Sequence, residues 1–309
     1  MRLIHAASEF QPGTRKVSLA IGFFDGVHLG HQQTIRQAIA DARQHEAHSL
    51  VITFDLHPNA VVAPGRVHPL IYSLPQKVRT IGSLGVDALL LLHFDEPFSR
   101  QTGESFIRGL ARDLGQILSV CVGTGFVFGY KRGGNVELLK RLGAELRFAV
   151  HAVASVSLGG RAVSSTRIRA AIVAGDLDAA SQMLGRPYSL AGPVIQGDRL
   201  GRQLGFPTAN IDARGLVLPP SGVYAVQALA GGHTYRAVLN IGTRPTLARP
   251  EPQLRAEAHL LGFQGNLYGR ELEITFVEKL REERPFASLE ELRRQIAQDI
   301  LAAQARFDP

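Results

Sequence analysis

Five apolar runs punctuate the first half of the chain, at residues 17–22, 49–54, 86–94, 117–123 and 147–153. They are apolar at consecutive positions rather than at every second one, the pattern of parallel strands buried on both faces. Between them lie stretches whose apolar positions recur three and four apart, at 32–44, 75–84, 103–114 and 135–142. Strands alternating with helices of this length predict βαβ units in a doubly wound parallel sheet. Ligands of such sheets gather at the carboxyl ends of the strands, where loops and helix N-termini meet.

Past residue 163 the texture changes. Two short helical stretches, 166–174 and 177–184, lead to Gly185-Arg186-Pro187, which reads as a boundary between a domain 1–186 and a domain 187–309. Beyond it come strand-like runs at 189–196, 222–230, 233–241, 254–263 and 271–278, with Gly231-Gly232 as a tight hairpin signal. Short strands separated by turn residues predict an antiparallel barrel or sandwich. A charged amphipathic helix over 288–305 follows.

Composition narrows the classes. A chain of 309 residues has room for two cores, and 45% apolar with 20% charged residues is ordinary for a globular protein. The longest apolar stretch, near residues 86–92, is too short to span a bilayer, and the opening residues lack the apolar core of a signal peptide. A lone cysteine, Cys121, sits inside an apolar run and reads as a small buried hydrophobe, so nothing asks for an oxidising compartment. The expectation is a cytoplasmic protein with no membrane partner. The net charge of +7 falls mostly on residues 1–186 (+6, against +1 for 187–309), but it is dispersed. Such an excess suits a small polyanion such as ATP as well as it suits RNA.

Candidate chemistry begins where the first long apolar run ends. Gly22-Phe23-Phe24-Asp25-Gly26-Val27-His28-Leu29-Gly30-His31 leads into a helix. Its glycines allow close approach of backbone to ligand, and a helix N-terminus offers free N–H groups and a positive dipole end. His28 and His31 could there face phosphate oxygens or a leaving pyrophosphate; a glycine turn with incidental histidines fits equally well. Ser164-Ser165-Thr166-Arg167-Ile168-Arg169 reads first as a helix cap, and also as a second anion site to which one of the two arginines contributes.

In the second half, residues 197–210 (GDRLGRQLGFPTAN) are too polar and glycine-rich for a regular strand. The ending of a P-loop is absent. Thr208 and Asn210, two apart, project the same way from an extended segment, where a hydroxyl and an amide oxygen could complete the shell of Mg²⁺. A polar surface turn is the alternative. Glu257 alternates with Ala256, Ala258 and Leu260 on its strand, which by itself reads as one polar face of a barrel strand.

Taken together, GFFDGVHLGH, TFDLHP (53–58), GFVFGYKRGGNVELL (125–139) and SSTRIR (164–169) resemble the adenylyltransferase domain of the bacterial bifunctional riboflavin kinase/FAD synthetase family, within the HxGH nucleotidyltransferases. GDRLGRQLGFPTAN, GVYAV (222–226), NIGTRPT (240–246), EAHLLGF (257–263) and LYGRELEITFVEKLREERPF (267–286) resemble its riboflavin kinase domain, in order.

The resemblance implies two ATP- and Mg²⁺-dependent reactions with riboflavin, FMN and FAD as substrates and products. It implies that Gly22, Phe24, His28, His31, Ser164, Thr166 and Arg167 bind ATP in the first site, with His28 and His31 also catalytic. For the second it implies Gly197, Arg202, Thr208 and Asn210 on ATP, Thr208 and Asn210 on the metal, and Glu257 as the base that activates the riboflavin 5′-hydroxyl. Phe23, Gly125, Asn135 and Gly262 depart from the family pattern. Gly125 motivates a second reading, a riboflavin kinase whose adenylyltransferase half is slowed or lost. A third, a basic nucleotide- or RNA-binding protein that keeps only the fold, has no use for both site sets, so no nucleic-acid partner is expected.

Overall fold

The computed structural model describes residues 1–197, 200–243 and 254–307. It divides into two compact units, Met1–Pro69 with Leu74–Ser165, and Leu70–Ser73 with Thr166–Pro309.

The first unit carries six parallel strands: β1 (Arg2–Ile4), β2 (Val17–Ile21), β3 (His48–Phe54), β4 (Ala88–Leu92), β5 (Ile117–Gly123) and β6 (Ala149–Val153). Helices α1 (Leu29–Gln44), α2 (Pro58–Val62), α3 (Leu74–Gly82), α4 (Glu96–Ser99), α5 (Gly103–Leu114) and α6 (Val136–Leu146) connect them. Strand order is β1-β4-β3-β2-β5-β6. Alternate residues of the central strands enter two separate cores. Leu19, Ile21, Leu50, Ile52, Val120 and Val122 pack with Phe106, Leu110 and Leu139 of α5 and α6 on one face. Ala20, Val51, Leu89 and Cys121 pack with Ile35, Ile39 and Ile81 of α1 and α3 on the other. That division is the doubly wound arrangement the consecutive apolar runs predict. The order of crossovers reverses between β2 and β5, so the crevice beyond their carboxyl ends is the topological switch point.

Three differences from the sequence reading have local causes. The edge strand β1 was not expected; three residues give too short a pattern, and pairing with β4 creates it. Helix α1 starts at Leu29 rather than 32, because His28 caps it. Residue 147 does not open β6: Arg147 adopts a left-handed conformation (φ 64°) and closes α6 instead. A small hairpin, β7 (Ser157–Leu158) and β8 (Arg161–Ala162), turns through Gly159-Gly160.

Helices α7 (Ser165–Ala174) and α8 (Leu177–Leu184) precede the second sheet. Strands β9 (Ser189–Ile195), β10 (Ala209–Ile211), β11 (Gly222–Ala230), β12 (His233–Thr243), β13 (Leu254–Leu260) and β14 (Glu271–Arg281) close into an antiparallel barrel of order β10-β13-β12-β11-β14-β9. Helix α9 (Leu200–Gln203) lies between β9 and β10, and α10 (Leu289–Gln304) follows β14. The glycine-rich 197–210 segment thus contains a short helix and the first residues of a strand, because β9 and β13 supply the ladder partners that its polar side chains cannot advertise. Ala256, Ala258, Leu239 and Ile274 fill the barrel interior. Val223, Ala225 and Val238 face the other way and are covered by Ile300 and Ala303 of α10. A bidentate pair between Arg281 and the buried Asp299, 2.8 Å at both contacts, fastens that helix.

Candidate active sites

The first site is built on a tight turn between β2 and α1. Phe24 (φ 54°), Gly26 (φ 73°) and Val27 (φ 42°) all occupy the left-handed region, where a β-branched valine is under real strain. Neighbouring elements hold the turn in place. Gln32 Nε2 donates to the Val27 carbonyl at 2.9 Å, Ser165 Oγ to the Asp25 carbonyl at 3.2 Å, and Thr53 Oγ1 to the Phe23 carbonyl at 2.9 Å. Gly22 makes room for the Phe24 ring, since a Cβ there would stand 2.7 Å from the ring and displace it. His28 is the N-cap of α1, its Nδ1 accepting from the His31 N–H at 3.4 Å. The two imidazoles stack with centroids 3.5 Å apart, and Phe24 packs edge-on against His31 at 5.3 Å.

These residues line a cavity of about 770 Å³ at the switch point, which Gly22, Phe24, His28 and His31 share with residues 123–132 beyond β5. Its far wall is aromatic. Phe54, Phe94 and Phe98 form a mutual edge-to-face set with centroids 5.4–5.6 Å apart, continued by Phe106 and Phe128, with Phe126 stacked on Phe128 at 5.1 Å. Lys131 (φ 50°) and Arg132 (φ 59°) bring two cations to the rim on strained backbone. Gly125 also lines the cavity, and a Cβ there would meet nothing within 4 Å. Asn135 caps α6 by accepting from the Leu138 N–H at 3.0 Å, a task that Asn and Asp perform about equally well. Ser164 immediately precedes α7; Thr166, exposed, and Arg167, half-buried, lie in its first turn.

One group beside this site escaped the sequence reading. Lys77 of α3 is buried, with Nζ donating to the carbonyls of Phe54 at 2.7 Å and Phe23 at 3.3 Å. Burial lowers its pKa from the usual 10.5 to about 8, with Asp25 and Asp55 resisting the fall. The signal was available: Lys77 stands four residues before the buried Ile81, on the apolar stripe of its helix. Asp55, at the end of β3, is pushed up by burial but brought net below its usual value by hydrogen bonds from His93, Phe94 and Leu56; the His93 contact measures 2.6 Å.

The second site lies on the barrel wall. Register places Asn210 of β10 and Asn240 of β12 on either side of Glu257 in β13, a row of three polar side chains across three strands. Two cavities meet at the Asn210 end of this row. One, about 320 Å³, is lined by Gly197, Arg202, Thr208, Asn210, Phe263 and residues 265–268 among others. The other, about 340 Å³, lies beneath α10 and is lined by Thr208, Asn210, Asn240, Glu257, His259 and Arg281 among others. Thr208 and Asn210 belong to both.

Close packing fixes their approach. A Cβ at Gly197 would lie 2.3 Å from the Asn210 amide, and one at Gly201 2.5 Å from the Phe206 carbonyl and 3.3 Å from Thr208 Oγ1. His259 ties the strand to the preceding loop through Nδ1 and the Pro207 carbonyl at 2.7 Å. The structure therefore brings Gly197, Arg202, Thr208 and Asn210 together, and sets Glu257 across the wall from Arg202. Asp198, Arg199 and residues 244–246 of the motif at 240–246 lie outside the described residues. Asn240 and His259 carry no assigned role in the sequence motifs; strand register places Asn240 beside Glu257, and a hydrogen bond ties His259 to the Pro207 loop.

A divalent cation is best tested on Thr208 and Asn210. Their hydroxyl and amide oxygens are hard donors in the wall shared by the two cavities, and such donors suit Mg²⁺. Among the described residues no group of three or more His, Cys, Asp or Glu side chains could hold a metal. A cation here would complete its shell with phosphate and water, as Mg²⁺ commonly does.

Comparison with known proteins agrees with both halves. A family model described as FAD synthetase matches residues 10–167, and one described as riboflavin kinase matches residues 184–307. A bifunctional riboflavin kinase/FMN adenylyltransferase of Pseudomonas fluorescens is 38% identical over 309 residues, covering 100% of this chain and 99% of the relative. The protein of the same description from Escherichia coli (strain K12) is 38% identical over 290 residues, 94% and 92% of the two chains. Among solved structures, one described as a macrolide-efflux protein from Streptococcus pneumoniae superposes with a TM-score of 0.81 at 28% identity, over 98% of this chain and 99% of that one. Parallel sheet, closed barrel, motif order and full-length relatives agree, and the chain belongs to the bifunctional riboflavin kinase/FMN adenylyltransferase family.

Proposed function

We propose that this enzyme phosphorylates riboflavin with ATP to give FMN and ADP, then adenylylates FMN with a second ATP to give FAD and pyrophosphate. The observation that carries the reading is the wall of Thr208 and Asn210 between two cavities, one holding Arg202 and the other Glu257. Phosphoryl transfer from a nucleotide to an alcohol needs that layout: donor phosphates on one side, acceptor hydroxyl on the other, transferred group at the wall. In this reading Gly197 and Arg202 hold ATP, and the flavin lies beneath α10. Glu257 accepts the proton of the 5′-hydroxyl as its oxygen attacks the γ-phosphorus. Mg²⁺ held by Thr208 and Asn210 would neutralise charge on the phosphates.

The first site performs the second reaction. A phosphate oxygen of FMN attacks the α-phosphorus of ATP in line and pyrophosphate leaves, so no protein nucleophile is required. His28 and His31, with the N-terminal N–H groups of α1, bind the phosphates as charge moves to the leaving group. Ser164, Thr166 and Arg167 take the pyrophosphate end, Gly22 and Phe24 shape the nucleotide pocket, and the phenylalanine wall offers faces for a flat ring system. The division of labour follows 1–186 and 187–309. No helix among the described residues is long and apolar enough to cross a membrane, and the cytoplasm, where ATP is available, is the proposed location. Purified protein incubated with riboflavin, ATP and Mg²⁺ should accumulate FMN and then FAD. Formation of neither sinks the reading; FMN without FAD in excess ATP leaves a kinase alone.

A further inference from the structure

We propose that Lys77 is the positioning residue of the adenylyl-transfer site, holding the strained Phe23–Val27 turn and the first residue of the aromatic wall in the form that receives ATP and FMN. The ammonium joins the carboxyl ends of β2 and β3, two of the strands whose ends border the cavity, through the Phe54 carbonyl at 2.7 Å and the Phe23 carbonyl at 3.3 Å. It also lies 4.3 Å from the centroid of the Phe23 ring, whose edge-on partner at 4.7 Å is His57. Both rings and Phe54 line the cavity, while Lys77 does not. It therefore acts on bound substrate through its neighbours. Without the ammonium, the Phe54 and Phe23 carbonyls both lose this donor, while Thr53 Oγ1 still donates to Phe23. The turn carrying Phe24 and Val27 at positive φ then loses one of its ties.

Charge is part of the device. The titratable groups around Lys77 are Asp25 after β2, Asp55 and His57 after β3, and, through Asp55, His93 after β4. Burial brings the ammonium to a pKa of about 8, so it is lost just above neutral pH, whereas an ordinary lysine would keep it. His93 is shifted upward by its hydrogen bond to Asp55, and its titration is separated from that of Lys77 by comparison with a variant that cannot deprotonate.

The inference rests on the adenylyl-transfer reading of this site. The experiment measures FAD formation from supplied FMN and FMN formation from riboflavin in the same preparations of wild type, K77M and K77R. K77M should lower kcat/KM for adenylyl transfer ten- to a hundredfold and leave the kinase reaction within twofold. K77R should recover at least tenfold of any hundredfold loss. In wild type, kcat/KM for adenylyl transfer should fall as pH rises through about 8, a limb that K77R shifts upward and the kinase reaction lacks. Adenylyl transfer within twofold of wild type in folded K77M overturns the inference. So does recovery absent in folded K77R. Should both variants fail to fold, wild type decides: a level profile from pH 7.5 to 9.5 overturns it, and the limb near 8 sustains it. Wild type that makes FMN and no FAD would overturn the adenylyl-transfer reading and this inference with it.

Discussion

A methyl group added at Gly197 would stand 2.3 Å from the side-chain amide of Asn210, so Gly197→Ala must displace the amide that shares both kinase cavities. The expected result is a loss of roughly tenfold or more in FMN formation, about 1.4 kcal/mol of transition-state stabilisation, in a protein whose FAD formation from supplied FMN is unchanged. Chemistry at the two sites should also separate cleanly. Replacing His28 and His31 together by alanine should lower FAD formation by about a hundredfold, the scale of lost electrostatic contacts to a developing charge, and spare FMN formation. Glu257→Ala should lower FMN formation by about 10²–10⁴, the scale of a lost general base, and spare FAD formation. Paired assays of both products read each variant, and loss of both activities in any of them counts against independent sites. The polar types and the spacing of these residues were readable from the chain alone. Lys77 was not read, because a lysine on an apolar stripe looks like an interruption until the carbonyls that it bonds are in place.

Elements depend on contacts that a local pattern does not contain. The outer face of the barrel at Val223, Ala225 and Val238 would expose apolar surface without α10, and the Arg281–Asp299 pair, 2.8 Å at both contacts, orients that helix. Asp299 is only 5% exposed. Asp299→Ala removes the carboxylate from the partly exposed Arg281 guanidinium, which keeps its bond to the Glu282 carbonyl, a loss of about 1.5–3 kcal/mol for hydrogen bonds to a charged group. The expected readouts are a lower urea-unfolding midpoint and a raised KM for riboflavin, since Arg281, Asp299 and α10 line the cavity assigned to the flavin. An unchanged midpoint would show that packing alone holds the helix. Strands with consecutive apolar residues were legible because burial on both faces leaves no polar alternation. Strand β10 was not, because only ladder bonds from β9 and β13 define it.

At the scale of the whole molecule, Lys77 links stability to pH. Its folded-state pKa, about 8, lies below the usual 10.5, so below pH 8 both folded and unfolded chains carry the proton and the native state bears the full cost of a buried charge. Between about 8 and 10.5 the unfolded chain binds the proton and the native one does not, so this group's contribution to stability rises with pH. The total is on the order of 3 kcal/mol. Urea titrations of wild type and K77M at pH 7, 8, 9 and 10 should show wild type gaining on the variant across that window; a constant difference would mean that the lysine is not perturbed. Stability and adenylyl transfer thus move in opposite directions above pH 8.

The sequence by itself determined the two classes of sheet, the order of the motifs and the identity of most polar groups at both sites. The classes of sheet follow from periodicity and glycine placement, which are local, and the polar groups of both sites follow from the family resemblance that the motifs carry. Only the tertiary structure decided that Asn210, Glu257 and Asn240 form one row, that Thr208 and Asn210 stand between two cavities, and that Lys77 closes the ends of β2 and β3. Each of these depends on strand register or on the docking of a helix, and a shift of one residue would turn every side chain of a strand to its other face. Such contacts join residues far apart in the chain, and the physical record of them is in the packed fold.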